Sequence, residues 1–362
     1  MTYDIAIVGA GIAGATLAAE VAPHARVLLL EMEDMPGYHA TGRSAAFWSE
    51  TYGGAAIQPL TTASGPALEA GGWLAPLGAV QIGRAGDAPL RDAFLQQFEG
   101  SGITLESVDP RTIVPGLRDE WCIGVREPTC AYIDVAAVHA DGLARARRAG
   151  AELVVRAPLE SAVYGLGGWT IMAGGQEFRA AVLVNAGGAW ADPVAERSGV
   201  APIGVTPYRR TLVQLLTDPA PPEGMPHLAS LAADFYIKPE AGGRVWVSPH
   251  DETPDSPCDV QPEELDVAIA IDRFEHAVSW RVAKVERRWA GLRSFAPDRL
   301  PVVGADPEQP AFFWLAGQGG FGIQTAPAVA RMAAQLLIGD AAASDPLDAA
   351  VDPGRYLPDR FR

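Results

Sequence analysis

Residues 5–31 constrain the fold more than any other part of the chain. An apolar strand leads into Gly9-x-Gly11-x-x-Gly14, an alanine-rich helix follows, and a second apolar strand ends at Glu31. The first glycine allows a tight turn, the second lets a pyrophosphate approach the backbone, and the third lets the helix pack closely on the strand. The helix N-terminus offers free N–H groups to phosphates, and Glu31 can accept hydrogen bonds from a ribose. The segment therefore predicts a βαβ unit that binds a dinucleotide.

Composition limits the classes of protein to which the chain can belong. Its 362 residues are 48% hydrophobic, which is enough for one large or two moderate cores. The formal net charge of −16 argues against nucleic acid as a partner, because a phosphate backbone would be repelled. No apolar run is long enough to span a bilayer, so we expect no transmembrane segment.

The cysteines and the N-terminus indicate a cellular compartment. Cys122, Cys130 and Cys258 show neither Cys-x-x-Cys spacing nor pairing with histidines, so we expect no metal site and no disulfide. Free buried thiols are typical of a reducing cytosol. The sequence reaches its first strand almost at once, so no targeting peptide is expected. These features predict a soluble, cytoplasmic, acidic enzyme.

Two further junctions between an apolar strand, a glycine turn and a helix lie far along the chain. They occupy residues 182–191 and 312–322, and a helix over 326–337 follows the second. Residues 134–150 are predicted to form an amphipathic helix, and the polar loop at 36–46 is predicted to lead into another. Shorter runs predict strands, several of them antiparallel, at 78–83, 153–155, 211–216, 235–239 and 245–248.

These patterns predict an α/β fold of α+β, two-domain type. A Rossmann-like nucleotide-binding domain is interrupted by an antiparallel-sheet substrate domain. The predicted segments of the first domain are 1–52, 134–205 and 285–345. Those of the substrate domain are 53–133 and 206–284, and residues 346–362 are predicted to be a C-terminal tail that wraps over the surface.

Several segments together suggest a family. Residues 37–46, 235–239, 260–263, 289–295 and 317–325 resemble, in the same order, the D-amino-acid oxidase and glycine oxidase superfamily of FAD-dependent enzymes. Within it, the chain looks most like bacterial D-arginine dehydrogenase and its relatives. The resemblance implies oxidation of a D-amino acid at its α-carbon by hydride transfer to flavin N5. The imino acid would then hydrolyse to a 2-oxo acid and ammonia.

The resemblance also implies the cofactor, because the fingerprint alone does not separate FAD from NAD. We expect non-covalent FAD, since no cysteine lies in the late segment where some relatives tether it. The implied FAD-binding residues are Gly9, Gly11, Ile12, Ala13 and Gly14 at the pyrophosphate, Glu31 and Met32 at the ribose, Thr41, Arg43, Ser44, Ala45 and Ala46 along the pyrophosphate and ring edge, Ala157 at the adenine, Gly187 and Trp190 near the cofactor, and Gly319, Gly320, Gly322, Ile323 and Gln324 at the flavin pyrimidine.

The candidate substrate residues follow from charge. An amino-acid carboxylate must be held so that its Cα–H faces the flavin, and a planar arginine does this better than lysine. Arg293, in an apolar context, is the first candidate, and a surface arginine is the alternative. Arg210 is the second candidate. Since it alternates with Arg209 along a strand, one of the two is expected to face solvent.

Three further residues are implied at the substrate. Tyr236 and Tyr52 resemble family tyrosines whose hydroxyls reach the substrate carboxylate, although either could equally be a core aromatic. The carbonyl of Gly320 is a candidate partner for the substrate amine. No protein base is required if the α-hydrogen leaves as hydride, so the protein would orient the substrate and exclude water.

The chain departs from the D-arginine dehydrogenase pattern at three places. Relatives that prefer basic substrates carry a carboxylate where this chain has Gly78 or Ala79, and an unpaired buried guanidinium would be costly. A histidine of that group is Phe47 here, and a tyrosine is Phe321. With Trp48, these residues make the pocket wall more apolar. We therefore expect a preference for neutral or hydrophobic D-amino acids.

Other functions remain open. A sarcosine- or glycine-oxidase-type amine oxidase and a flavin 2-hydroxy-acid dehydrogenase would use the same carboxylate clamp. An NAD-dependent dehydrogenase would leave the turn at residues 317–324 unexplained, and a non-catalytic FAD-binding subunit would not need Arg293 and Tyr236. The electron acceptor and the oligomeric state are undetermined. Five histidines without catalytic spacing are predicted to be structural: His39, His139, His227, His250 and His276.

Overall fold

The computed structural model describes residues 2–339 and 348–361. The fold is mixed α/β, as predicted. Its strands are β1 (Thr2–Val8), β2 (Val27–Leu30), β3 (Phe47–Trp48), β4 (Leu74–Pro76), β5 (Ala79–Gly83), β6 (Glu106–Val108), β7 (Ile123–Glu127), β8 (Ala131–Ile133), β9 (Glu152–Val154), β10 (Leu159–Gly165), β11 (Gly168–Ala173), β12 (Gln176–Asn185), β13 (Thr206–Asp218), β14 (His227–Ser230), β15 (Tyr236–Glu240), β16 (Arg244–Ser248), β17 (Thr253–Pro254), β18 (Arg281–Phe295), β19 (Val302–Ala305), β20 (Phe312–Ala316) and β21 (Gln318–Gly319). Its α-helices are α1 (Ile12–Val21), α2 (Gln58–Ala70), α3 (Ala88–Gln97), α4 (Val135–Arg148), α5 (Ala191–Arg197), α6 (Glu264–Ala277) and α7 (Ala326–Ile338).

The first sheet brings the three glycine turns together. Its strand order is β10-β11-β12-β1-β2-β9, and β20 pairs with both β12 and β19. Val8 lies opposite Asn185, and Asn185 lies opposite Trp314, in parallel strands that end at the same edge. The turns that follow β1, β12 and β20 therefore leave this edge side by side. The prediction that three distant junctions belong to one sheet is confirmed.

Both faces of the first sheet are covered. On one face Ile7 packs with Leu17 of α1 and Met332 of α7. On the other face Leu28 packs in a cluster that contains Trp169 of β11. Fully burying an apolar side chain of this size contributes about 1.5–3 kcal/mol, so the two layers fix the position of the edge that carries the turns.

The second sheet is built largely from antiparallel strands, as the alternating segments predicted. Its order is β21-β18-β13-β16-β15-β14-β5-β7-β6, with β17 paired to β13. Helix α6 covers one face, where Phe274 packs with Val213 and Ile237. The opposite face carries Leu212 and Tyr236, which pack with Ala45 of the 36–46 loop. This face therefore lies against the loop that follows the first βαβ unit.

The segment after residue 46 differs from the prediction. Phe47 and Trp48 form β3, which pairs with β8 in a third sheet that also contains β4. The helix predicted to begin here is wrong, and the next helix, α2, begins at Gln58. Both aromatic side chains are buried, and burial in a pleated edge outweighs the helical reading of a short segment.

The tail does more than wrap the surface. Tyr356 is 1% exposed within the first core, and its hydroxyl donates to the carbonyl of Ala56 at 2.8 Å. Val351 is buried in the same core. Most of residues 348–361 are exposed or partly exposed, and Val351, Tyr356 and Pro358 anchor this segment to the body of the protein. Residues 340–347, which include the predicted limits of 345 and 346, lie outside the described residues.

Three other observations bear on the predictions. The predicted limit between residues 284 and 285 falls inside β18, which continues unbroken to Phe295. None of the helices in residues 2–339 and 348–361 has the length and apolarity to cross a membrane. Cys130 is buried, but Cys122 and Cys258 are partly exposed, so buried thiols were predicted correctly only for the first.

Candidate active site

A single cavity extends from the glycine turns of the first sheet to the open face of the second. It contacts most of the predicted cofactor residues and both candidate arginines. The predicted residues that line it are Gly9, Gly11, Ile12, Ala13, Glu31, Met32, Thr41, Arg43, Ser44, Ala45, Ala157, Gly187, Trp190, Arg210, Arg293, Gly319, Gly320, Gly322 and Ile323.

The first turn has room for backbone only. Gly9 adopts φ +101°, and a Cβ there would lie 2.4 Å from the carbonyl oxygen of Ala186. A Cβ on Gly14 would lie 1.9 Å from the carbonyl oxygen of Gly9, so Gly14 contacts the turn and does not line the cavity. Helix α1 begins directly after Gly11 and directs its N-terminus at the cavity.

Glu31 and Thr41 hold this turn in place. The buried Glu31 carboxylate accepts hydrogen bonds from the N–H of Ala10 at 2.9 Å and the N–H of Glu33 at 3.0 Å. The Thr41 hydroxyl accepts from the N–H of Ile12 at 3.0 Å. Both side chains line the cavity, so they order the turn and remain next to the space that a ribose and pyrophosphate would occupy.

Arg43 is engaged with the second sheet. Its guanidinium donates to the carbonyl of Val260 at 3.0 Å and pairs with Asp259. The indole N–H of Trp289 donates to the Arg43 carbonyl at 3.0 Å. A Cβ on Gly291 would approach Arg43 to 3.3 Å. The charge of Arg43 is therefore largely matched by Asp259, and its main contribution is to fix the 36–46 loop over the cavity.

Besides Gly14, two predicted cofactor residues do not line the cavity. Ala46 precedes β3 and lies in an apolar cluster with Trp48 and Ile323. Gln324 is 3% exposed, and its amide donates to the carbonyl of Tyr52 at 2.9 Å and to the Thr61 hydroxyl at 2.9 Å. Its side chain ties the late turn to the segment that carries Tyr52.

The candidate arginines lie at the second-sheet end of the cavity. Arg210 is 4% exposed; its Nε donates to the Asp251 carbonyl at 2.8 Å and its Nη2 to Glu252 at 3.1 Å, but its buried Nη1 has no partner. Within the described chain, the Arg293 guanidinium donates to no protein acceptor. Burial and the nearby Arg293 charge lower the pKa of Arg210 to about 10, which leaves it cationic at neutral pH.

Both predicted tyrosines lie with these cations. A Cβ on Gly320 would lie 2.4 Å from the Tyr52 hydroxyl oxygen and 3.2 Å from Nη1 of Arg293. Tyr236 is 2% exposed, and its hydroxyl forms no hydrogen bond of good geometry. Burial raises the pKa of Tyr236, while the charges of Arg293 and Arg210 oppose that rise. Neither tyrosine lines the cavity, but the Tyr52 hydroxyl and the Arg293 guanidinium lie together beside Gly320, which does, and this combination of donors suits a carboxylate.

The expected solvent exposure of one adjacent arginine is wrong. Arg209 points to the other face of β13, but its side chain is only 12% exposed. It pairs with Asp255 at 3.5 Å, Glu263 at 3.1 Å and Asp266 at 3.5 Å. Helix α6 covers this face of the sheet. Arg209 and Arg210 therefore point to opposite faces of β13, but both faces are covered by protein.

Aromatic rings pack around the two predicted tyrosines, Tyr52 and Tyr236. Phe47 lies 4.3 Å from the His227 ring, 5.1 Å from the Tyr52 ring and 6.2 Å from the Tyr236 ring, measured between centroids. Phe321 lies 5.2 Å from the Tyr52 ring. This group of rings, called the ring wall below, consists of Phe47, Tyr52, His227, Tyr236 and Phe321. It contains two of the three aromatic residues that the sequence analysis expected in the pocket wall, whereas Trp48 packs in a separate cluster with Ile323, and neither Trp48 nor any ring of the wall lines the cavity itself.

Two of the histidines predicted to be structural, His227 and His250, lie in this region. His227 contacts Phe47 and Tyr236, and His250 lies 5.5 Å from the Tyr236 ring. Burial lowers the pKa of His227 to about 3, and burial with the charges of Arg210 and Arg293 lowers that of His250 to about 2. Both are neutral near pH 7. Their spacing along the chain gives no signal, because sheet pairing alone brings them together.

The sequence analysis did not identify the buried carboxyl group of Glu127. Glu127 is the cross-strand partner of Ala79, the position at which the expected carboxylate is absent. It is 2% exposed, but its oxygens accept hydrogen bonds from Ser49, Glu50 and Thr51. Glu127 therefore supplies no free anion for a basic substrate.

Comparison with known proteins identifies the class. The model of the DAO family, described as FAD dependent oxidoreductase, matches residues 4–336. The chain therefore belongs to this family, and its cofactor is FAD. The cavity fits that cofactor, because the turns beside it are glycines at which a Cβ would collide with backbone or with site residues.

Individual relatives agree with this class. The bovine FAD-dependent oxidoreductase domain-containing protein 1 is 30% identical over 186 residues, which are 45% of this chain and 37% of that protein. Hydrogen cyanide synthase subunit HcnC of Pseudomonas aeruginosa is 29% identical over 147 residues, 40% of this chain and 33% of that protein. The matches thus span about a third of these relatives' length.

Solved structures share the fold over nearly the whole chain. Glycine oxidase from Geobacillus kaustophilus superposes with a TM-score of 0.85 at 23% identity, covering 99% of both chains. L-proline dehydrogenase from P. horikoshii gives 0.86 at 20% identity, covering 99% of this chain and 98% of that one. At these identities the likeness concerns the fold.

Proposed function

We propose that this chain oxidises an α-amino acid at its α-carbon, with FAD as the immediate electron acceptor. The observation that carries the proposal is that the unpaired Arg293 guanidinium and the Tyr52 hydroxyl lie beside Gly320. The unpaired Nη1 of Arg210 and the Tyr236 hydroxyl belong to side chains in the same electrostatic cluster. Buried donors without acceptors are rare in native proteins. A substrate carboxylate supplies the missing acceptor.

Each of these residues has a role in holding the substrate. Arg293 and Arg210 would bind the carboxylate, and Tyr52 and Tyr236 would donate to its remaining lone pairs. The Gly320 carbonyl would accept a hydrogen from the substrate amine, and the ring wall would exclude water from the α-carbon. Bound FAD supplies the two-electron acceptor that takes the α-hydrogen as hydride at N5.

The proposal extends to a D-amino acid with a neutral or hydrophobic side chain. The buried Ala79 offers no charge, Phe47 and Phe321 present apolar rings, and Glu127 is already fully engaged. A guanidinium side chain would place a third cation near Arg210 and Arg293 without a partner. The D configuration and the kinship with D-arginine dehydrogenases rest on the resemblance of the motif segments.

A second candidate is the oxidation of a small amino acid without a side chain, such as glycine or its N-methyl derivative sarcosine. The likeness in fold to glycine oxidase from Geobacillus kaustophilus supports this candidate. The same carboxylate clamp would serve such substrates.

An anaerobic substrate panel tests these proposals. We expect D-leucine, D-methionine or D-phenylalanine to bleach the flavin, and the Arg293→Met holoenzyme to stay yellow under the same conditions. Faster bleaching by sarcosine or glycine would favour the second candidate, and a higher kcat/KM for D-arginine would contradict the neutral preference. Bleaching only by the matching 2-hydroxy acids would reject amine oxidation. Admission of oxygen then reports whether oxygen is an acceptor.

The remaining assignments belong to the same proposal. We propose that FAD is bound without a covalent link, that the enzyme acts in the cytoplasm, and that the two domains divide the chain as predicted, except that β18 runs across the predicted limit at residues 284 and 285. Acid precipitation tests the first point, because non-covalent FAD remains in the supernatant while covalent flavin precipitates with the protein.

A further inference from the structure

A buried carboxyl group on β7 accepts hydrogen bonds from the turn that precedes Tyr52. The oxygens of Glu127, at the end of β7, accept hydrogen bonds from the Ser49 hydroxyl at 2.8 Å, the Thr51 hydroxyl at 2.6 Å and the N–H of Glu50 at 2.7 Å. All four residues are buried. Three successive residues are therefore anchored to one side chain immediately before Tyr52.

The same turn is held from the opposite side by the late glycine turn. The Gln324 amide nitrogen donates to the carbonyl of Tyr52 at 2.9 Å, and its oxygen accepts from the N–H of Ser49 at 3.3 Å. Gln324 follows Gly322 and Ile323, which line the cavity. The turn is thus fixed between β7 and the segment expected at the flavin.

A carboxylate at residue 127 needs a reason, because burial of an anion is costly. Burial raises the pKa of Glu127, and the hydrogen bonds from Thr51, Ser49 and Glu50 oppose that rise. The carboxylate makes no ion pair within the described residues; each of its recorded hydrogen bonds goes to the 49–51 turn. A buried carboxyl group whose hydrogen bonds go to one turn is typical of a group that fixes geometry.

We infer that Glu127 is a positioning residue that holds the Tyr52 hydroxyl at the substrate carboxylate site. Glu127 lies across the strand pair from Ala79 and reaches the substrate through the 49–52 turn, and not by contact. This inference rests on the proposed function, in which Tyr52 donates to the carboxylate. It predicts that the effect of Glu127 on binding is transmitted through the Tyr52 hydroxyl.

A double-mutant cycle on the FAD-loaded enzyme tests the inference, with benzoate as the carboxylate probe and flavin absorbance as the readout. Tyr52→Phe, which removes one hydrogen bond, is expected to raise the benzoate Kd about tenfold. Glu127→Gln is expected to raise it by a similar factor. The benzoate Kd of the double variant is expected to equal the higher of the two single-variant Kd values, because the two changes remove the same interaction.

Two further variants complete the design. Glu106→Gln, an exposed change on the neighbouring strand β6, is expected to leave the Kd unchanged. If Glu127→Gln gives no soluble holoenzyme, Thr51→Val removes the shortest of the three hydrogen bonds and runs the same cycle. Turnover of the best substrate should show a raised KM in Glu127→Gln with FAD content unchanged.

The outcomes are distinguishable. If the wild-type enzyme binds benzoate but the effects of Glu127→Gln and Tyr52→Phe multiply independently, the positioning role is overturned while the proposed function stands. If Tyr52→Phe has no effect, Tyr52 does not contact the carboxylate and the inference fails with it. If the wild-type holoenzyme binds neither benzoate nor any amino acid, the proposed function itself is rejected.

Discussion

Replacing Arg293 by methionine separates substrate binding from stability. The Arg293 guanidinium has no protein acceptor among the described residues, so its loss breaks no internal hydrogen bond. It also raises the positive potential at Arg210, whose pKa it lowers. Methionine keeps much of the side-chain volume and removes this repulsion. We therefore expect the Tm of Arg293→Met to equal or exceed that of the wild type.

The effect on catalysis should be large. A guanidinium that holds a carboxylate makes two charge-assisted hydrogen bonds, each contributing roughly 1.5–3 kcal/mol. Because Arg210 remains and holds part of the charge, we expect a net loss of about 3–4 kcal/mol. At about 1.36 kcal/mol per factor of ten, this lowers kcat/KM roughly 150- to 1,000-fold.

Steady-state kinetics with the best substrate, FAD content from absorbance, and thermal melts measure these quantities. Arg287→Met is the matched control, because Arg287 lies on the same strand, β18, but is exposed and stacks on Trp289 at 5.1 Å. It should leave kcat/KM within about twofold. A loss of less than threefold in Arg293→Met, or a Tm lowered by several degrees, would refute the reasoning.

Three other changes give further tests. Gly14→Ala should abolish FAD retention, because its Cβ would lie 1.9 Å from the carbonyl oxygen of Gly9, whereas Gly86→Ala, with no atom within 4 Å, should leave the flavin-to-protein absorbance ratio unchanged. Burial lowers the pKa of His227 from 6.5 to about 3, so between these values the unfolded chain binds more protons than the folded chain, and the free energy of unfolding decreases as the pH decreases. In His227→Phe this contribution is absent, so Tm should decrease less steeply from pH 6.5 to pH 4 than in the wild type. Parallel slopes would contradict this. Asp259→Asn, which weakens the Arg43 pair, should raise the FAD dissociation constant about three- to tenfold, as flavin fluorescence titration can measure.

Local pattern predicted the parts of the fold that depend on neighbours in sequence. The turn around Gly9 and Gly11, the helix after it and the two later glycine junctions are short-range features, since strand, turn and helix each need only a few residues. Where pattern was weak, it failed. The two-residue strand at Phe47 was read as a helix start, and the packing of Tyr356 into the core has no periodic signal.

The candidate site shows the same division. Residue type singled out Arg293 and Arg210 as candidate carboxylate ligands, because few side chains suit that task. It did not reveal that α6 also covers Arg209, or that His227 and Glu127 flank Ala79 on its two sides. These residues become neighbours only when strands distant in the chain pair in one sheet.

The sequence by itself determined the nucleotide-binding units and the chemical types available for a substrate clamp, because glycine geometry and guanidinium chemistry belong to individual residues. Only the tertiary structure decided which arginine donors are left without partners, which carboxylate is already engaged, and how the ring wall closes. Those properties depend on burial and on hydrogen-bond partners. The partners are set by pairing between strands whose residues lie 40 or more positions apart in the chain, as Arg210 and Gly291 or Ala79 and Glu127 do.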